Sequence, residues 1–241
     1  LPQILDWTEH NVPDVLCLQE IKCETGAFPG LEFAALGYTC AVVGQKSYNG
    51  VAVLTHQPFE SVRSSLPGDP TDNQARYQEI DCCGVLIANI YVPNGNPAPG
   101  PKYDVKLAWL DRLIERCEVL LAERVPFMIL GDFNIIPEDE DVYDPKGWKD
   151  DALFRPEVRA RFRALRHMGL LDALRAKESG PGPYTFWGYT HGQFHRDLGL
   201  RIDHILLSPA LADRLIAVRV DKTPRANDKP SDHTPVIVTL T

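Results

Sequence analysis

The sequence predicts an α/β protein forming one domain over residues 1–241, and three observations predict it. Short β-branched apolar runs alternate with turns marked by Pro and Gly. Two longer segments space their apolar residues as helices do. The composition, 44% hydrophobic and 24% charged over 241 residues, suits a chain that buries a core without disulfides. It excludes disorder as the main state, and no apolar run approaches the ~18 residues of a membrane span.

Six strands are legible in chain order. Val15-Leu16-Cys17-Leu18 follows a proline and ends in Gln19-Glu20. Gly50 to Thr55 is β-branched and bounded by turns. Val85 to Val92 is closed by Pro93-Asn94-Gly95. Pro126 to Leu130 runs into Gly131-Asp132. Ile202 to Leu207 stops at Ser208-Pro209, and Pro235 to Leu240 closes the chain. Tyr103 to Glu123 repeats apolar residues at Leu107, Leu110, Ile114, Cys117 and Leu121, a helix with one buried face. Pro156 to Met168 is a second helix, aligning Arg155, Arg159, Arg163 and Arg166. A solvated basic face is expected there, with a phosphate-facing stripe as the alternative.

The net charge of −8 argues against a protein that coats nucleic acid non-specifically. It leaves room for an enzyme acting on nucleic acid, because metal-binding carboxylates contribute to the total. The six cysteines form no C-x-x-C pair, so a structural zinc site is not expected. Unpaired thiols point to a reducing compartment, and Leu1-Pro2-Gln3-Ile4 shows no signal-peptide pattern; a cytoplasmic protein is expected.

Polar residues gather at the ends of the apolar runs. A packed strand holds its terminal side chain rigidly at a rim, and several such ends can converge. Glu20 is a candidate ligand for a hard divalent ion, although a lone Glu is more often plain surface. Tyr91 and Asn94 flank a strand exit and offer donors to phosphate oxygens. In Gly131-Asp132-Phe133-Asn134 the two polar side chains are two residues apart and face the same way in an extended chain. That pairing suits the orientation of a water nucleophile. Asp203 interrupts an apolar strand and needs a partner or a metal. Asp232 and His233 open the last strand on opposite faces, and His233 is the natural partner for Asp203.

Taken in this order, the motifs resemble the exonuclease III family of apurinic/apyrimidinic endonucleases, within the endonuclease/exonuclease/phosphatase superfamily. Gly131-Asp132-Phe133-Asn134 and Ser231-Asp232-His233 are superfamily marks. Leu18-Gln19-Glu20 with Lys22, Gly44 to Ala52, Tyr184-Thr185-Phe186-Trp187 and Gly199-Leu200-Arg201-Ile202-Asp203 are narrower ones. The resemblance spans Leu1 to Thr241. It implies a four-layered α/β sandwich of two mixed β-sheets flanked by helices. It implies Mg²⁺, or Mn²⁺ in its place, on Glu20 with Asp232 as a further metal carboxylate. It also implies catalytic roles for Tyr91, Asp132, Asn134, Asp203 and His233. Lys46, Asn94, Phe186, Trp187, Leu200 and Ile202 fall at substrate-binding positions, three of them (Phe186, Leu200, Ile202) in an apolar pocket for an extruded abasic sugar. The implied protein is a monomer that nicks double-stranded DNA 5′ of abasic sites and trims blocked 3′ ends, as exonuclease and 3′ phosphatase.

Two departures from the family pattern stand out. Leu1 to His10 corresponds to the family's first helix, so the strand and Asn that precede it there are not in this chain, and an upstream segment is expected to lie outside it. Asp197 stands where the family carries a phosphate-binding Asn. Two other readings compete: a different phosphoesterase of the superfamily, and a non-catalytic DNA- or partner-binding module.

Overall fold

The computed structural model describes residues 1–241. In chain order the strands are β1 (Val15–Gln19), β2 (Thr39–Val43), β3 (Val51–Thr55), β4 (Phe59–Arg63), β5 (Tyr77–Cys82), β6 (Val85–Tyr91), β7 (Phe127–Asp132), β8 (Leu171–Asp172), β9 (Asp203–Leu207), β10 (Leu215–Val220) and β11 (Val236–Leu240). The helices are α1 (Pro2–Asn11), α2 (Gly30–Ala35), α3 (Pro101–Ala122), α4 (Pro145–Trp148), α5 (Pro156–His167) and α6 (Pro209–Ala212). All six strands and both helices legible in the sequence are present, within a residue or two.

Six strands form one sheet in the order β4-β5-β6-β7-β9-β8. Its only parallel pair is β6 with β7, joined by α3, because a parallel pair needs a long crossover and here a helix supplies it. The second β layer is in two antiparallel pieces, β1-β3-β2 and β10-β11. The mixed character expected of both sheets is thus confined to the large one. Helices cover the outside, giving four layers.

Strand alternation divides the core cleanly. On the large sheet Leu86, Ala88, Ile90, Phe127, Ile129 and Leu206 pack toward α3 and α5. Their neighbours Ile87, Met128, Ile205 and Leu207 pack between the two β layers, against Ala41, Val53 and Val218. Phe33, Tyr38, Ala52 and Leu54 form a smaller core under α2. Between the β layers, buried Asn89 donates to the carbonyls of Leu18 (3.1 Å) and Ala52 (2.9 Å) and accepts from the Gln19 amide (2.7 Å). This polar pin fixes one sheet on the other just below the rim.

The buried face of α3 is rotated from the stripe the sequence suggested. Tyr103, Lys106, Trp109, Leu110, Leu113, Arg116, Cys117 and Leu120 are buried, whereas Leu107, Ile114 and Leu121 are only partly so. Two charged residues lie on that face because each has partners: Arg116 grips buried Glu79 of β5 at 2.7 and 2.8 Å, and Lys106 meets backbone carbonyls. On α5 the arginines are partly spoken for. Arg159 pairs with Glu138 and Asp139 and stacks on Phe154, and Arg155 pairs with Glu157 and stacks on Tyr103. Neither is a free phosphate-facing cation. All six cysteines are unpaired, as expected.

A buried ion network ties β9 to the loops around it. Arg201 reaches Asp141 through Nε (2.6 Å) and Asp172 through Nη1 (2.9 Å), and Arg175 pairs with Asp141 while donating to the carbonyls of Gly180 and Gly182. His204 accepts from Arg201 at Nδ1 (3.0 Å), so its proton sits on Nε2 and is donated to the Ile135 carbonyl (2.9 Å). Burial, then the Arg201 charge, lowers its pKa to about 4. The unfolded chain therefore binds this proton between pH 6.5 and about 4 while the folded chain does not. Stability from this residue is complete above pH 6.5 and is lost as the pH falls toward 4, by about 3 kcal/mol in all. Urea unfolding at pH 7 and pH 4.5 should show His204→Gln losing less stability on acidification than the unmodified protein. Equal losses would remove His204 from the acid response.

Candidate active site

The site arises from strand register. Tyr91 of β6 lies opposite Asp132 of β7, and Asp132 opposite Asp203 of β9. Arg76, just ahead of β5, accepts the Tyr91 amide at its carbonyl (2.8 Å). Arg76, Tyr91, Asp132 and Asp203 thus stand in one row across four strands. Each has the parity of the residues that face the other β layer, so all four emerge at the mouth between the sheets. Gly131 permits the close approach of β7 to β6, since at φ 133° a Cβ there would lie 2.1 Å from the Ile90 carbonyl oxygen.

Asp132 is buried at 5% exposure. Its carboxylate accepts from the Asn134 amide nitrogen (2.8 Å) and from the Asn134 side chain (3.0 Å), whose Oδ1 accepts in turn from Asn94 (3.1 Å). Burial pushes the Asp132 carboxyl well above the usual carboxylate range, while His233 works against this.

His233 and Asp203 are brought together by the segment 185–187. Phe186 bridges to both Leu200 and His233, Trp187 donates to the Asp232 carbonyl (2.9 Å), and the Thr185 hydroxyl accepts from the amides of Ile202 and Asp203 (3.1 Å each). Asp203 then holds His233 Nδ1 at 2.9 and 3.1 Å, leaving Nε2 4.0 Å from the Asp132 carboxylate. Burial pulls the imidazole pKa down, but the Asp203 and Asp132 carboxylates raise it above the ordinary histidine value. A histidine held at Nδ1 and a buried carboxylate thus face each other at 4.0 Å.

Glu20 stands across the mouth, just past β1, at φ 52°. Its segment is held by backbone bonds from Ile21 to Gly50 (3.2 Å) and Lys22 to Asn49 (3.0 Å), and its carboxylate pairs with Lys22 at 3.2 Å. Burial raises the Tyr91 hydroxyl pKa, with the Glu20 and Asp132 charges adding to it. Asp232 acts on His233 in the same way.

The residues expected to bind substrate divide. Asn94 belongs to the Asp132–Asn134 chain of hydrogen bonds. Lys46 is exposed on a loop pinned by Gln45, whose Oε1 accepts from Asn49 (2.8 Å) and the Ala75 amide (3.1 Å). Phe186 is half-buried and meets the His233 ring edge-on at 5.1 Å. Leu200, Ile202 and Trp187 are buried, so they form the floor behind Phe186 instead of an open wall. Trp187 donates its indole proton to Asp197 (3.2 Å), which also pairs with Lys222 (3.1 Å). A carboxylate at that position is therefore neutralised locally and serves the loop.

Residues 3–233 match the sequence profile of the endonuclease/exonuclease/phosphatase family. The chain belongs to this family. Among the family's proteins it is similar to exodeoxyribonuclease III of Haemophilus influenzae, at 36% identity over 95% of this chain and 90% of that one. A Neisseria 3′ phosphatase, NExo, solved with a product DNA hairpin, superposes with a TM-score of 0.96 at 38% identity, covering 100% of this chain and 93% of that one. An AP endonuclease from Archaeoglobus fulgidus superposes with a TM-score of 0.92 at 34% identity, covering 98% and 92%. Within this family fold, Arg76 is the member of the row that sequence reasoning missed. It is half-buried, stacks on the Tyr91 ring (4.6 Å to the centroid) and carries a charge felt by Asp132.

Proposed function

We propose that this protein is a metal-dependent phosphodiesterase that nicks duplex DNA 5′ of abasic sites and removes 3′-terminal nucleotides and phosphates at the same centre. The observation that carries this is the facing pair at the mouth: Asp132, oriented by Asn134, opposite an imidazole held by Asp203. Hydrolysis of a phosphodiester needs an in-line water, neutralised phosphoryl oxygens and help for the departing oxygen. Asp132 takes the proton of the water, and its raised pKa suits that task. His233, protonated and fixed at Nδ1, donates from Nε2 to a phosphoryl oxygen. Arg76 and Asn94 add donors on either side. Tyr91, kept protonated by burial and two carboxylates, would donate to the departing oxygen.

The donor set fits a hard cation, since Glu20 and Asp232 offer carboxylate oxygens and no thiolate borders the mouth. These two residues would hold Mg²⁺, with Mn²⁺ as a substitute, and no three such side chains are close enough to form a closed cage. When bound, the ion supplies charge neutralisation on the phosphate; Lys22, paired with Glu20, would have to swing aside. Phe186 over its buried floor gives a sugar without its base an apolar seat. The resemblance to NExo favours 3′-end trimming as a second activity of the same centre. No helix is long and apolar enough to cross a membrane. We take the protein to act in the cytoplasm as a one-domain monomer.

The test is a set of three duplexes: one with an internal abasic analogue, one with a recessed 3′ end and one with a 3′ phosphate. Cleavage that stops in EDTA and returns with Mg²⁺ is the expected result. Hydrolysis of lipid or inositol phosphates alone would assign another branch of the family. Abasic-DNA binding with no cleavage in Mg²⁺ would make the chain a binding module.

A further inference from the structure

We propose that Lys106 is a positioning residue for this reaction, holding the Asn94–Asn134–Asp132 hydrogen-bond chain in place from below. The inference rests on the function proposed above. Lys106 lies on α3 and has no exposed surface. Its Nζ donates to the carbonyls of Asn94 (2.9 Å), Asn134 (2.5 Å) and Ala152 (3.2 Å). Three carbonyl acceptors match the three N–H groups of an ammonium, and no carboxylate touches it. A buried cation without a contacting counter-ion is an expensive way to join three loops, and an apolar side chain would fill the space at less cost.

What the ammonium holds explains its presence. Two of the three carbonyls belong to the residues whose side chains lead to Asp132. Asn94 donates to Asn134, and Asn134 donates to Asp132 (3.0 Å) and to the Val92 carbonyl (3.0 Å). The backbone of both asparagines is fixed at one point, so their side chains have one geometry in which to meet. Packing against the lysine stem is close as well: at Gly95, φ 88°, a Cβ would stand 2.7 Å from Lys106 Cδ. Burial lowers the amine pKa to about 7, with the Asp132 and Asp151 charges opposing the fall, and the three carbonyl acceptors around Nζ favour its protonated form.

Lys106→Met keeps the bulk and removes the donors. On the DNA substrate, kcat should fall about 100-fold, the scale of a small misplacement of a reacting group, with KM unchanged. The side-chain amide protons of buried Asn134 are expected to exchange slowly in the unmodified protein and faster in the variant. A folded Lys106→Met protein with unaltered kcat, or with unaltered amide exchange, overturns the proposal. Should Lys106→Met not fold, Gly95→Ala serves, because it keeps the lysine and displaces its stem; unchanged kcat in that variant is equally fatal. If the unmodified protein cleaves no phosphate ester, the functional reading fails, and the amide exchange still decides the role of Lys106.

Discussion

Asp132→Asn is expected to lower single-turnover cleavage by roughly 10²- to 10⁴-fold, the range for a positioned proton acceptor. The change removes one charge and almost no volume. The carboxylate accepts two bonds from Asn134, one from the backbone and one from the side chain. An amide can keep only one of them, because its NH₂ would face another donor. Against that loss stands relief from burying a charge. Stability should therefore change little while turnover collapses. Matched urea midpoints with near-normal cleavage would remove Asp132 from its role as base. A collapse of both would make its role structural.

Arg201→Met should have the largest effect on stability, about 3–5 kcal/mol, because it breaks a buried ion network by removing one partner. Arg201 is 1% exposed and satisfies two carboxylates, Asp141 and Asp172, that are themselves buried. Asp141 keeps Arg175, but Asp172 is left without a cation. Adding Asp172→Asn to Arg201→Met should recover part of the loss, since it removes the stranded charge. Urea midpoints for the single and double variants decide the matter. A single variant as stable as the parent would mean that the network contributes nothing net. Because Arg201 lies between Leu200 and Ile202, the same variant should also blunt cleavage by loosening the floor behind Phe186.

The parts of this protein legible in its sequence share one property: their signal is local. The apolar runs of β1, β3, β6, β7, β9 and β11 announce themselves, and so do the polar residues that stop them. Glu20, Tyr91, Asp132, Asp203 and His233 were visible for that reason, and sheet register with the Asp203–His233 bond sets the last four side by side. β5 was not visible, because Gln78 and Glu79 interrupt any alternation although both are buried. Glu79 is tolerated there through Arg116, far away in the chain, and no local pattern records such a pairing. Arg76 looks like any turn arginine until the sheet register sets it beside Tyr91. Lys106 left a faint trace, falling on the helical face shared by Tyr103, Leu110, Leu113 and Cys117. A lysine in that place is a local inconsistency, and such conflicts often mark function.

The side-by-side placement of Arg76, Tyr91, Asp132 and Asp203 carries an evolutionary consequence. Their spacing is the pitch of the sheet, roughly 4.8 Å from one backbone to the next, so it is inherited from the ladder and owes nothing to the connecting loops. Those loops are free to lengthen or shorten. Inside β6, β7 or β9 there is no such freedom, because a single inserted or deleted residue shifts the reading frame of the ladder. In β9 that slip would turn Asp203 toward the helices and present Ile202 or His204 at the mouth instead.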